Sequence, residues 1–183
     1  MKERTEQEWY ELFADEKTRV DAFSTVITLY QERIYWHIRR MVVTHDNAND
    51  VMQNTFIKAW RHIDKYRGDA KLSTWLFRIA TNESIDYLNE MKRQAGLFSD
   101  DDSLFLQESL ACDPYFDGDE LQKELQKAIL TLPDKQRLVF NMRYFEEMKY
   151  EKMADILGQT VGGLKASYHL AQKKIKEYFK AID

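Results

Sequence analysis

The stretch Met153-Ala154-Asp155-Ile156-Leu157-Gly158-Gln159-Thr160-Val161-Gly162-Gly163-Leu164 decides the fold of this chain. Apolar Met153, Leu157, Val161 and Leu164, with small Ala154 among them, have the spacing of two helices that cross closely around a tight turn. Gly158 supplies the left-handed conformation that ends the first helix, and Thr160 can cap the second. Beyond the turn, Leu164, Tyr168, Ala171, Ile175, Tyr178 and Phe179 fall on one helical face, and Lys165, His169, Gln172, Lys173 and Lys176 on the opposite one. A helix dry on one side and donor-rich on the other suits the DNA major groove, where base edges and phosphates accept hydrogen bonds. The other reading of the same face is a solvated, charged surface on a helical hairpin.

The N-terminal side of this motif carries helices predicted over 119–131, 134–145 and 149–157, before the long one at 161–180; Leu132-Pro133-Asp134 marks the first junction. At the other end of the chain, Thr5-Glu6-Gln7-Glu8 has the capping-box form, followed by Trp9, Leu12 and Phe13 at helical spacing. A second helix is predicted over 18–43, with Val20, Phe23, Ile27, Tyr30, Ile34 and Ile38 on one stripe. A third, over 47–63, buries Ala48, Val51, Met52, Thr55, Phe56, Ala59 and Ile63. A fourth starts at Ser73 or Thr74 and runs to Gln94. Six Gly and two Pro in 183 residues are too few for the turns of an all-β or α/β fold. The expected fold is all-α: an N-terminal helix over 1–18, a helical domain over 19–95, an acidic linker over 96–118 and a second small helical domain over 119–183.

The formal charge of −4 argues against a nucleic-acid binder only until it is divided along the chain. Residues 23–96 carry net +3 and residues 121–183 net +4, whereas residues 97–120 hold eight acidic side chains and no basic one. Two mildly basic segments flanking an acidic strip is the informative pattern. No apolar run is long enough to span a membrane, and the charged N-terminus is unlike a signal peptide. The lone Cys112 excludes an intrachain disulfide and fits a reducing cytoplasm. No phosphate loop, metal-spaced ligand set or nucleophile–base pair is present, so neither an enzyme nor a metal or other cofactor is expected.

Two faces in the first domain carry chemistry. On the fourth helix, Leu76, Ala80, Ser84, Tyr87, Leu88 and Met91 form the buried stripe, and Trp75, Arg78, Asn82, Asn89 and Arg93 line the other side. An indole to stack on a base, amides to read its edge and guanidiniums to hold phosphate suit single-stranded DNA. On the third helix, Asp50, Gln53, Asn54, Ile57 and Lys58 are polar but not basic, a pattern closer to a protein-docking strip.

These residues also match a family. Asp50-Val51-Met52-Gln53-Asn54-Thr55-Phe56-Ile57-Lys58-Ala59-Trp60-Arg61 resembles the core-polymerase-binding segment of sigma region 2. Tyr66-Arg67-Gly68-Asp69, with Ser73-Thr74-Trp75-Leu76-Phe77-Arg78-Ile79-Ala80-Thr81-Asn82, resembles its promoter-melting segment. Leu132-Pro133 and Arg137, with the helix-turn-helix, are similar to sigma region 4. No room remains for the extra regions of a primary sigma factor, so the resemblance is to the extracytoplasmic-function (ECF) group of the sigma-70 family. It implies a transcription initiation factor that directs core RNA polymerase to promoter DNA. Asp50, Gln53, Asn54 and Ile57 are then expected on the β′ clamp helices, and the second domain on the β flap. Arg67, Trp75, Arg78, Asn82, Asn89 and Arg93 are expected at the −10 element, and Lys165, Ala166, His169, Gln172 and Lys173 at the −35 element. The resemblance further implies an anti-sigma partner and an acidic linker that threads into the polymerase cleft. Ser167, Leu170 and Gln172 stand where the family usually has Arg, which predicts weak intrinsic DNA affinity. Two alternatives remain at this point: a sigma mimic that sequesters an anti-sigma factor without touching DNA, and a helix-turn-helix repressor.

Overall fold

The computed structural model describes residues 4–96, 103–113 and 119–182. All regular structure among them is helical: α1 (Glu6–Ala14), α2 (Glu16–Val42), α3 (His45–Arg61), α4 (Leu72–Gln94), α5 (Ser103–Ala111), α6 (Glu120–Leu130), α7 (Asp134–Tyr144), α8 (Tyr150–Leu157) and α9 (Val161–Ile182), with a 3-10 turn at Ile63–Lys65.

Local chemistry sets most of the boundaries. Thr5 and Glu8 complete the capping box of α1. Asp15 closes α1 and opens α2, its carboxylate accepting from the Lys17 amide at 3.0 Å. Between α2 and α3 the chain passes through Val43 at φ 74°, a conformation that disfavours β-branched residues. Its side chain is buried there, and the next residue, Thr44, caps α3. At the turn between α8 and α9, Gly158 takes φ 64° and the Thr160 hydroxyl accepts from the Gly163 amide at 3.1 Å.

Helices α1 to α4 enclose a core of Val26, Ile34, Ile38, Ala48, Ala59, Leu76 and Ala80, all sealed from solvent. The predicted α2 stripe holds from Phe23 onward, but Val20 is 60% exposed. Helices α6, α7 and α9 build a second cluster from Ala128, Ile129, Leu132, Phe140, Ala171 and Ile175. The two units are packed on one another, α2 against α7 and α4 against α8. The core of the first therefore continues into Val139, Met142, Met153 and Ile156 of the second. Phe77, beneath Lys152 of α8, and Thr81, bonded to His37 of α2, are buried on α4 as well, outside the stripe that periodicity predicts for that helix.

The span 96–118 is not simply a tether. Helix α5 lies within it, and Leu106 and Leu110, one turn apart, insert into the main core, Leu106 to 1% exposure. Asp113 follows and forms a buried ion pair with Arg39 of α2. The Asp100-Asp101-Asp102 run and the segment 114–118, both part of the acidic linker reading, lie outside the described residues.

Candidate nucleic-acid and protein interfaces

Helix α3 offers a docking strip because its buried residues, Ala48, Val51, Thr55, Phe56 and Ala59, recur on one side only. Asp50, Gln53, Asn54 and Ile57 consequently point outward, Ile57 with 43% of its surface exposed. Beside them runs an open groove of about 590 Å³ lined by Phe23, Ile27, Met52, Phe56, Ile57 and Trp60, with Asp50, Gln53 and Arg61 on its rim. Apolar floor and polar rim together are the anatomy of a protein-binding surface. Lys58 turns away from the groove to pair with Glu83 of α4, and that hydrogen bond holds its ammonium above the ordinary lysine pKa.

On α4, Asn82, Asn89 and Arg93 are exposed, with Arg93 paired to Glu90 on its own helix. Arg67 is exposed on the loop before α4. Trp75 is only half available, because its ring lies 5.5 Å from that of buried Tyr66. Arg78 is engaged as well: its guanidinium donates to the Asp155 carbonyl of α8. Lys152 of α8 donates to Ser73 Oγ at 3.2 Å and stands over the Phe77 ring, 5.3 Å from its centroid. Burial depresses the Lys152 pKa, with like charge from Arg33 and Lys71 adding to the effect and Glu146 opposing it. A pocket lined by Asp69, Lys71, Thr74, Arg78, Lys149 and Lys152 marks this junction. The first helix of the helix-turn-helix thus covers part of the face on which the single-strand reading rests.

What holds the junction closed leaves no mark in the local sequence. His37 of α2, 1% exposed, sits between the units: its Nδ1 is 2.7 Å from Glu146 Oε1 and its Nε2 is 2.9 Å from Thr81 Oγ1. Asn141 Nδ2 donates to the Arg40 carbonyl at 3.1 Å, and Arg40 stacks over Phe145 at 4.7 Å. Asp134 accepts from Lys92 and from Arg137, each at 2.6 Å. Apart from the i,i+3 bond of Arg137 to Asp134, these partners are 42 to 109 residues apart in sequence, so no local pattern could have announced them.

Helix α9 turns Leu164, Ala171 and Ile175 inward and leaves Lys165, Ala166, His169 and Lys173 exposed, with Gln172 partly so. Tyr150 of α8 packs under Lys165, whose ammonium lies 5.7 Å from its ring centroid. Leu170, where an Arg was expected, is 48% exposed on the same helix. Among the described residues no cluster of His, Cys, Asp and Glu could hold a metal, and no helix is long and apolar enough to cross a membrane.

The chain matches two family models, Sigma-70 region 2 over residues 26–94 and Sigma-70, region 4 over residues 122–175. It is 31% identical to the ECF RNA polymerase sigma factor SigW of Bacillus subtilis, over 88% of this chain and 91% of that protein. It is 30% identical to the ECF RNA polymerase sigma-E factor of Escherichia coli, over 84% of each. Two solved structures share its fold. CnrH in complex with the cytosolic domain of CnrY has a TM-score of 0.68 at 19% identity, covering 97% of this chain and 99% of that one. The sigma factor RpoE in complex with the anti-sigma factor NepR from Bartonella quintana has 0.66 at 23% identity, covering 86% and 96%. With both regions present in order on a two-unit helical fold, the chain belongs to the extracytoplasmic-function group of the sigma-70 family and directs RNA polymerase to promoters.

Proposed function

We propose that three separate surfaces divide the work of this sigma factor. Asp50, Gln53, Asn54 and Ile57, with the groove beside them, meet the clamp helices of the polymerase β′ subunit, and the second unit also touches the β flap. Arg67, Trp75, Arg78, Asn82, Asn89 and Arg93 open and hold the −10 element; Lys165, Ala166, His169, Gln172 and Lys173 read the −35 element. The carrying observation is that Asn82 and Asn89 stay open to solvent on a helix whose opposite side closes the core, with the polar face of α9 open as well. A repressor or a sigma mimic has no use for the first of these faces.

Because Arg78 and Ser73 are engaged by α8, the described arrangement is a closed one, and the two units part before a promoter is opened. The acidic linker then runs into the polymerase cleft, its carboxylates standing in for RNA phosphates, after Leu106 and Leu110 leave the core. An anti-sigma factor, as NepR is for the Bartonella quintana sigma factor RpoE, holds the chain inactive in the cytoplasm.

Run-off transcription with purified core polymerase on genomic templates, with core affinity measured in parallel, tests the division. Asn82→Ala is expected to lower open-complex formation by about tenfold, the scale of one lost base contact, and to leave core binding unchanged. Asp50→Arg with Gln53→Ala is expected to weaken core binding first. Equal loss of both functions from Asn82→Ala would mark a structural residue and remove the −10 assignment.

A further inference from the structure

Helix α1 lies outside the segment that matches Sigma-70 region 2 and belongs to none of the three proposed surfaces. The structure nevertheless ties it to the loop before α4. The α1 capping box fixes where that helix starts, and this aims the first-turn Glu6 at the loop. Its Oε2 accepts from the Tyr66 hydroxyl at 2.5 Å and from the backbone amide of Leu72 at 2.8 Å. Leu72 is the first residue of α4, and Lys71 before it makes no side-chain cap, so a carboxylate from α1 caps α4. Burial, reinforced by the bond to Glu6, holds the Tyr66 hydroxyl well above the usual phenol pKa, so it remains a donor. Backbone meets backbone in the same place. Gly68 sits at φ 76°, where a Cβ would come within 3.2 Å of the Glu6 carbonyl oxygen. A row of rings completes the link: Trp9 to Phe13 at 5.8 Å, Phe13 to Tyr66 at 5.8 Å, and Tyr66 to Trp75 at 5.5 Å.

We infer that Glu6 is a positioning residue for promoter melting: α1 holds the 66–72 loop, and with it Arg67 and Trp75, in the geometry that receives the opened strand. The inference rests on the −10 assignment of that surface. Glu6 does not touch DNA; it acts through Tyr66 and the start of α4. Its removal leaves the α3 groove and the α9 face in place, so core binding and −35 recognition persist while opening suffers.

The experiment uses the full chain with core polymerase, on a duplex promoter and on the same promoter with a pre-opened −10 bubble, reading opening by permanganate reactivity. Glu6→Ala is expected to reduce opening of the duplex about tenfold, as befits the loss of charge-assisted bonds, with core affinity unchanged and the bubble template restoring most of the activity. Glu6→Gln, which keeps an acceptor oxygen, should recover part of the loss, and Tyr66→Phe, which keeps the ring packing, should show a smaller defect. Normal duplex opening by Glu6→Ala alongside a defective Asn82→Ala overturns the inference and leaves the −10 assignment standing. Normal opening by Asn82→Ala overturns both. Parallel loss of core binding and of activity on the bubble template would reduce Glu6 to a stabilising residue and also overturn the inference.

Discussion

Thr160 and Gly158 stand two residues apart at the turn that points α9 toward DNA, and each acts through its own backbone neighbourhood. Thr160→Ala removes the acceptor for the Gly163 amide and is expected to cost about 1 kcal/mol. In a chain of this size that lowers Tm by roughly 2–4 °C; Thr160→Ser should restore most of it, and an unchanged melting curve would refute the cap. Gly158→Ala meets no heavy atom within 4 Å, so its expected loss of about 1 kcal/mol comes from the left-handed backbone alone. Both residues were legible in the sequence because a cap or a left-handed turn needs partners only two or three positions away. His37 was not legible. Nothing beside it in the chain indicates that its ring will meet Glu146 and Thr81 in a dry junction.

At the scale of elements, the helical repeat carried most of the information, and its departures lie where a second surface covers a helix. Periodicity predicted one buried stripe on α4, and the helix buries Phe77 and Thr81 as well because α8 and His37 close over them. Helix α5 shows the reverse problem. Every charged residue of its segment, 97–120, is acidic, and the one-turn spacing of Leu106 and Leu110 marks a docked helix within it. Leu106→Ala is expected to remove roughly 2–4 kcal/mol of packing from this site, and because α5 is short and peripheral the effect should be local. Limited proteolysis within 97–118 should accelerate, while circular dichroism loses no more than one short helix. Unchanged cleavage would mean that the Arg39–Asp113 pair alone holds α5 in place. The α3 strip was legible as an exposed face, but the groove beside it was not, since Phe23 and Ile27 come from α2.

For the whole molecule the decisive feature is closure of one unit on the other. Glu146→Ala combined with Asn141→Ala removes two polar links between α2 and the second unit and should shift the chain toward open forms. Small-angle scattering should then report a larger radius of gyration, and the unbound chain should take up a −10 non-template oligonucleotide more readily, because Arg78 and Ser73 are released. A larger radius with no gain in oligonucleotide binding would separate closure from masking. By itself the sequence determined an all-helical chain of two basic units around an acidic strip, the turn at Gly158, and which faces of α3, α4 and α9 carry polar groups. All of these follow from a 3.6-residue repeat, caps and composition, which act over a few positions. Only the tertiary structure decided that α5 docks, that α1 grips the 66–72 loop through Glu6, and that α8 lies over Arg78. The polar bonds in those contacts join residues 60 to 77 positions apart, and their stability comes from burying surfaces that meet only once the helices have packed.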